Sequence, residues 1–181
     1  MRDKRLFVAI DVPKTVTDLL VSLEPHQRGV RWMRPDQIHL TLSFLGNVGP
    51  IAEEALRVKL TAIRFTAFFI PVAGIGTFLQ KGKPNVIWAG VGDGHPQLFH
   101  VYTRVQEAAL AAGLEPDLRS FHPHITFARC KEVSAESIRP FLKAHADFDA
   151  GMIRVESFSL YSSIPGPLGS AYTRELEVKA A

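Results

Sequence analysis

The chain has 181 residues, of which 46% are hydrophobic and 22% charged, and its formal net charge is +3. These values exclude a disordered chain and a histone-like polycation, and the length predicts a single domain spanning residues 1–181. A mild positive charge suits an anionic ligand such as a phosphate.

The predicted elements alternate between strands and helices. Alternating apolar residues indicate the strands, and apolar residues at three- and four-residue spacing indicate the helices. Gly113 is placed to end the third predicted helix. In chain order we predict a strand at residues 6–12, a helix capped by Thr15 or Thr17 that ends near residue 23, an extended piece at Trp32, a strand at 37–44, a helix at 50–63, extended segments at 66–74 and 85–91 separated by the turn material LQKGKPN, a helix at 98–112, a strand at 124–128, a helix at 134–145, and strands at 150–161 and 171–178.

This order predicts an α+β fold in which helices pack on antiparallel sheets. The organisation also looks duplicated, because a strand, a helix and a strand bearing His-x-Thr occur twice, with His39 and His124 lying 85 positions apart. Within each strand, alternate side chains face opposite sides, so His39 shares a face with Thr41, and His124 shares one with Thr126. One such tripeptide is most often structural. Two copies, each after a proline-containing turn, indicate one shared active site.

Two histidines on either side of a substrate can act as general base and general acid near neutral pH, if one is neutral and the other protonated. Phosphoester cleavage needs this division, because one group takes a proton from the attacking water and the other gives a proton to the departing oxygen. The threonine hydroxyls can donate hydrogen bonds to the phosphate oxygens. The scheme needs no metal, and His122 with His124 lacks the cysteine or carboxylate neighbours of a metal site.

A cluster of three arginines, Arg28, Arg31 and Arg34, precedes the first motif. Such a cluster is either a phosphate-facing rim or a solvated loop. The sequence leaves both interpretations open.

The segments HLTLSFLG, PHITFAR, GIGTF followed by VIWAGV, and SFSLYSS resemble the two-histidine (2H) phosphoesterase superfamily. Within it they are similar to the RNA 2′,3′-cyclic phosphodiesterase branch, also called LigT-like 2′-5′ RNA ligases. The resemblance covers nearly the whole chain, and the two His-x-Thr-hydrophobic motifs are its specific part. It implies a bilobal α+β fold, with two antiparallel sheets, helices packed outside, and pseudo-twofold symmetry around a central cleft that receives one motif from each lobe.

The resemblance also implies an activity, the hydrolysis of a 2′,3′-cyclic phosphate at the end of an RNA or a small nucleotide, leaving a 2′-phosphate and using no cofactor. His39 is implied as the proton donor to the departing 3′ oxygen, and His124 as the proton acceptor that activates water. Thr41 and Thr126 are implied to hold the phosphate.

Two further positions follow from the comparison with the family pattern. Arg129 matches the arginine that follows the second motif and is implied as a phosphate ligand, which requires the strand to end or bulge at Ala128, because strict alternation turns Arg129 away from His124. Ser43 stands where relatives often carry a basic residue, on the predicted face of His39 and Thr41, and puts a phosphate contact there in doubt.

Three other functions stay open at this stage. The same site could catalyse the reverse reaction, 2′-5′ RNA ligation, or open the cyclic phosphate of another small molecule. It could also be a non-catalytic module that binds RNA ends or nucleotides, although binding alone does not need two titratable groups.

A single cysteine, Cys130, excludes an internal disulfide and points to a reducing compartment. The N-terminal apolar run is broken by Asp11 and Pro13, and no apolar stretch approaches the ~18 residues that span a bilayer. We expect a cytoplasmic monomer with no membrane partner.

Overall fold

The computed structural model describes residues 2–92 and 94–181, and this part of the chain contains four α-helices and nine strands. None of these helices is both long and apolar enough to cross a bilayer. The helices are α1 (Lys14–Val21), α2 (Pro50–Thr61), α3 (Pro96–Ala111) and α4 (Ala135–Ala144), and the strands are β1 (Lys4–Asp11), β2 (Val30–Trp32), β3 (His39–Val48), β4 (Phe68–Gln80), β5 (Lys83–Val91), β6 (His124–Cys130), β7 (Asp149–Val155), β8 (Ser157–Ile164) and β9 (Ala171–Lys179).

The strands form one antiparallel path in the order β7-β4-β5-β6-β3-β1-β8-β9, with β2 paired to β6. The two motif strands, β3 and β6, are neighbours at the middle of this path. They share a single register pair, Leu40 with Ile125, which we call the seam. The predicted α+β class is confirmed, and the strands expected in two sheets form one continuous path whose halves meet at the seam.

The two halves have matching strand orders. Moving outward from the seam, one half has β3, β1, β8 and β9, and the other has β6, β5, β4 and β7. The strand after α2 crosses to the second half, where β4 pairs with β5, and β8 crosses back to pair with β1. This exchange of strands ties the two halves together.

The helices cover one face of the seam. Leu40 and Ile125 are 0% exposed and belong to the same hydrophobic core as Leu98 and Val101 of α3 and Leu56 of α2. Helix α3 also packs on β3 and on α2. Because neighbouring side chains on a strand face opposite ways, the core holds Leu40 and Ile125 and leaves the histidines beside them on the other face.

Each motif strand bulges directly after its threonine. On β3, Thr41 pairs with Ala9 and Ser43 with Val8, so Leu42 has no partner. On β6, Thr126 pairs with Trp88 and Ala128 with Ile87, so Phe127 has none. An extra residue reverses the alternation beyond it, and so the side chains that follow change faces.

The bulges determine which way the side chains of Arg129 and Ser43 face. The bulge that Arg129 requires is present, one residue before Ala128, and Arg129 faces the same side as His124. The prediction that Ser43 shares the face of His39 is wrong, because the bulge at Leu42 turns Ser43 inward. Its side chain is buried, and its Oγ has no hydrogen-bond partner in the described part of the chain.

Several predicted boundaries differ from the structure; for example, the strand predicted at 37–44 is β3, which runs from His39 to Val48. The strand predicted at 150–161 is two strands that break at Glu156, where the chain crosses between the halves. The turn LQKGKPN contracts to a tight hairpin at Lys81 and Gly82, whose φ angles are 52° and 77°. Helix α1 begins after Pro13, so neither predicted threonine caps it. The predicted role of Gly113 is confirmed, since it follows the end of α3 with φ 81°.

We expect Leu40→Ala to lower the free energy of unfolding by about 2–5 kcal/mol, because it leaves a cavity at the seam. Chemical denaturation measures the change. Leu168→Ala is a matched control, since Leu168 is 75% exposed and its truncation empties no core site. Equal effects of the two substitutions would contradict the role given to the seam.

Candidate active site

The two halves meet in a cavity of about 780 Å³, here called the central cleft. It is lined by every residue that the sequence selected: His39, Thr41, His124, Thr126 and Arg129. The seam explains why. The antiparallel register set by Leu40 and Ile125 puts His39 on the side of Thr126 and Thr41 on the side of His124, so the two histidines are diagonal neighbours. In a regular antiparallel pair, diagonal neighbours lie about 7–8 Å apart.

The ring of His124 is held by a backbone carbonyl. Its Nδ1 lies 2.6 Å from the carbonyl oxygen of His122. A carbonyl oxygen only accepts hydrogen bonds, so Nδ1 carries a proton, and in the neutral ring Nε2 has a free lone pair. Phe78 packs edge-on against the ring, with centroids 4.8 Å apart. His122 therefore acts through its backbone to orient His124.

The ring of His39 sits in a more polar and more crowded environment. Its Nε2 lies 3.9 Å from Oδ1 of Asp11, which is its cross-strand partner at the end of β1. The hydroxyl of Tyr161 and the guanidinium of Arg174 both donate to the Asp11 carboxylate and hold it in place. The Nδ1 atom is buried and makes no hydrogen bond of standard geometry within the described residues.

The pKa of both histidines is lowered from the ordinary value of 6.5, in each case mainly by burial. For His39 this lowering is reinforced by the charge of Arg174 and opposed by the Asp11 carboxylate, by the nearby Gln37 carbonyl and by Asp36. For His124 only the His122 carbonyl opposes it. Carboxylates thus oppose the lowering of the pKa at His39, and none does so at His124.

This asymmetry follows from the strands beside each motif. Asp11 faces His39 across β1 and β3, whereas Gly90 faces His124 across β5 and β6. A Cβ at Gly90 would lie 2.6 Å from the backbone oxygen of Ala73. The close approach of β4 therefore excludes a side chain at that position, and the second half has no counterpart of Asp11.

The three arginines before the first motif were predicted to form either a phosphate-facing rim or a solvated loop, and the structure places them differently from one another. Arg34 forms an ion pair with Asp36, with Nε 3.1 Å from Oδ1. Arg31 faces Arg129 across β2 and β6 and lines a second cavity, which adjoins the central cleft. Arg28 lines neither of the two cavities.

The sequence did not reveal several residues of the cleft. The main ones are the aromatic residues Phe44 and Tyr172, and the sequence also did not reveal Asp11, which lies behind the cleft beside His39. The sequence did contain an indication for Phe44, because it lies 85 positions before Arg129, the same spacing as between His39 and His124. The side chain of Phe44 is 66% exposed. The matching bulges turn both residues into the cleft, an aromatic ring on one side and a cation on the other.

Comparison with known proteins agrees with this geometry. The family described as LigT like Phosphoesterase matches residues 8–88 and 91–172. The RNA 2′,3′-cyclic phosphodiesterase of Aeropyrum pernix is 34% identical over 154 residues, covering 84% of this chain and 87% of the relative. The protein of the same name from Archaeoglobus fulgidus is 30% identical, covering 93% of this chain and 96% of its own.

A solved structure shows the same fold. The crystal structure of E. coli LigT in apo form superposes with a TM-score of 0.79 at 26% identity, covering 100% of this chain and 99% of that chain. The family match extends over both halves and includes both motif strands. The resemblance indicated by the two His-x-Thr motifs is therefore confirmed, and the chain belongs to the LigT-like phosphoesterase family.

Proposed function

We propose that this protein is an RNA 2′,3′-cyclic phosphodiesterase that leaves a 2′-phosphate and needs no metal. The observation that carries the proposal is the meeting of two histidines, one from each half, in the central cleft. The names of the relatives support the choice of substrate. RNA ends and small cyclic nucleotides both present the required cyclic phosphate.

The reaction needs two proton transfers on opposite sides of one phosphorus atom. Water attacks the phosphorus, the bond from phosphorus to the 3′ oxygen breaks, and the departing oxygen takes up a proton. His39 and His124 are diagonal across the seam, so a phosphate placed between them has one imidazole near the attacking water and the other near the leaving oxygen.

We assign the base to His124 and the acid to His39. The His122 carbonyl keeps the proton of His124 on Nδ1, which leaves Nε2 able to accept a proton from water. The Asp11 carboxylate favours the protonated form of His39, which can then donate to the 3′ oxygen. The neighbours of the two histidines therefore supply the asymmetry that the symmetric motifs lack.

Thr41, Thr126 and Arg129 are proposed to bind the phosphate. All three line the central cleft beside the histidines. Hydroxyl and guanidinium donors placed around the non-bridging oxygens stabilise the negative charge that builds up there in the transition state. Arg129 is the only one of the three that carries a charge.

We also propose that the protein acts as a monomer in the cytoplasm. Both histidines and both threonines of the cleft come from one chain, so the site needs no second subunit. The single cysteine, Cys130, is unpaired and partly buried, which suits a reducing compartment.

We expect His39→Ala and His124→Ala each to lower the turnover of 2′,3′-cyclic AMP by about 10²–10⁴, since each variant loses one proton transfer. The wild-type reaction should persist in EDTA and give adenosine 2′-phosphate, which phosphorus NMR distinguishes from the 3′ isomer. His100→Ala is the matched control, because this exposed histidine of α3 lies outside the cleft. Full activity of both cleft variants would exclude this site.

The pH dependence of kcat/KM should be bell-shaped, with its optimum on the acid side of 6.5, because burial lowers the pKa of both histidines. The acid limb reports the base, which must lose its proton. The alkaline limb reports the acid, which must keep its proton. An optimum on the alkaline side of 6.5 would contradict this prediction.

Asp11→Asn should move the alkaline limb of this profile to lower pH, because the variant loses a negative charge that favours protonated His39. The acid limb should stay in place, since Asp11 does not contribute to the pKa shift of His124. Tyr161→Phe is the control, as it removes a hydrogen bond to Asp11 but keeps the carboxylate charge. A shift of the acid limb instead would reverse the acid and base assignments.

A further inference from the structure

A second cavity of about 300 Å³ opens beside the central cleft. Three guanidinium groups line it, and we call it the arginine cavity; they belong to Arg5, Arg31 and Arg129. It shares four lining residues with the central cleft, among them Arg129. The two cavities are therefore neighbours, and Arg129 stands between them.

The arginine cavity carries unbalanced positive charge. No aspartate or glutamate lines it, and none of its three arginines has an ion-pair partner within the described residues. Several arginines elsewhere in the chain are neutralised by a neighbouring carboxylate. The contrasting ion pairs are Arg34 with Asp36, Arg57 with Glu53, Arg119 with Asp117, and Arg174 with Asp11.

Two of these cations face each other directly. Arg31 on β2 is the cross-strand partner of Arg129 on β6. Like charges at directly opposed positions destabilise a sheet, and no carboxylate offsets them here. A planar guanidinium group donates two parallel hydrogen bonds to a phosphate, so an anion between these side chains would remove the repulsion and satisfy the donors.

The wall opposite the arginines is held by specific contacts. It is formed by the loop between β8 and β9, where the side chain of Gln37 donates to the carbonyl of Ser170 at 3.1 Å. The loop backbone fits closely, because a Cβ at Gly169, whose φ is +103°, would lie 2.3 Å from Nε2 of Gln37. Gln37 precedes His39 by two residues, so the cavity is held at a set position relative to the first motif.

We propose that the arginine cavity binds the internucleotide phosphate next to the cyclic end of an RNA substrate. This rests on the proposed function, and it makes a chain of two or more nucleotides a better ligand than a mononucleotide. A volume of about 300 Å³ is at the small end for ligand sites and suits a phosphate with part of its sugar better than a second stacked base. Arg129 contacts both phosphates and sets their spacing.

The test uses three ligands that cannot turn over: adenosine 2′-phosphate, the dinucleotide ApA with a 2′-phosphate end, and the same dinucleotide with an uncharged methylphosphonate linkage. Calorimetry measures their affinities for the wild type, Arg5→Gln, Arg31→Gln and the control Arg139→Gln. Arg139 is an exposed arginine of α4 that lines neither cavity. Thermal melts verify that each variant is folded.

We expect the wild type and Arg139→Gln to bind the charged dinucleotide about tenfold more tightly than the methylphosphonate, as lost contacts to a charged group predict. Arg5→Gln and Arg31→Gln should bind the two dinucleotides about equally and keep the wild-type affinity for adenosine 2′-phosphate. The preference for the charged linkage should also weaken as salt is added.

Two results would overturn the proposal. One is equal binding of the two dinucleotides by the wild type, and the other is a preference for the charged linkage that survives in both arginine variants. Turnover of 2′,3′-cyclic AMP by the same preparations reports separately on the proposed function. If the wild type does not turn over 2′,3′-cyclic AMP but shows a preference for the charged linkage that depends on Arg31, the phosphodiesterase activity is rejected and the phosphate site is kept. If it turns over 2′,3′-cyclic AMP but shows no such preference, the phosphate site alone is rejected.

Discussion

The site depends on the pairing of β3 with β6 through Leu40 and Ile125. This one register pair brings two distant segments side by side and sets which face of each strand meets the core. Burial of two large apolar side chains stabilises the pairing, and the alternation of a strand then puts His39 and His124 on the opposite face. A slip of one residue in either strand would send its histidine into the core.

The two halves have matching backbone features at the motif strands but place different residues opposite the two histidines. Each motif strand bulges after its threonine, and each histidine lines the central cleft. The difference lies in the neighbouring strands, which place Asp11 opposite His39 and Gly90 opposite His124. Two histidines at matching positions can thus have different electrostatic surroundings, because the charges around them need not obey the symmetry of the strand order.

Charge is distributed unevenly around the cleft as well. The network of Asp11, Tyr161 and Arg174 is internally balanced and serves His39. Arg129 and Arg31 have no such balance and face each other at the border of the central cleft. Arg174 is thus neutralised by Asp11, whereas Arg31 and Arg129 have no carboxylate among the residues that line the arginine cavity.

The sequence by itself predicted the α+β class and the two motif strands, and it selected five residues that line one cavity, because local alternation and a repeated motif are properties of short segments. It also indicated that Arg129 would face the cleft only if the strand ended or bulged near Ala128. It could not supply the bulges, the break at Glu156, the inward turn of Ser43 or the pairing of Asp11 with His39. Only the tertiary structure decided these features, because each depends on which strand lies beside which, and that choice is made by packing between segments far apart in the chain.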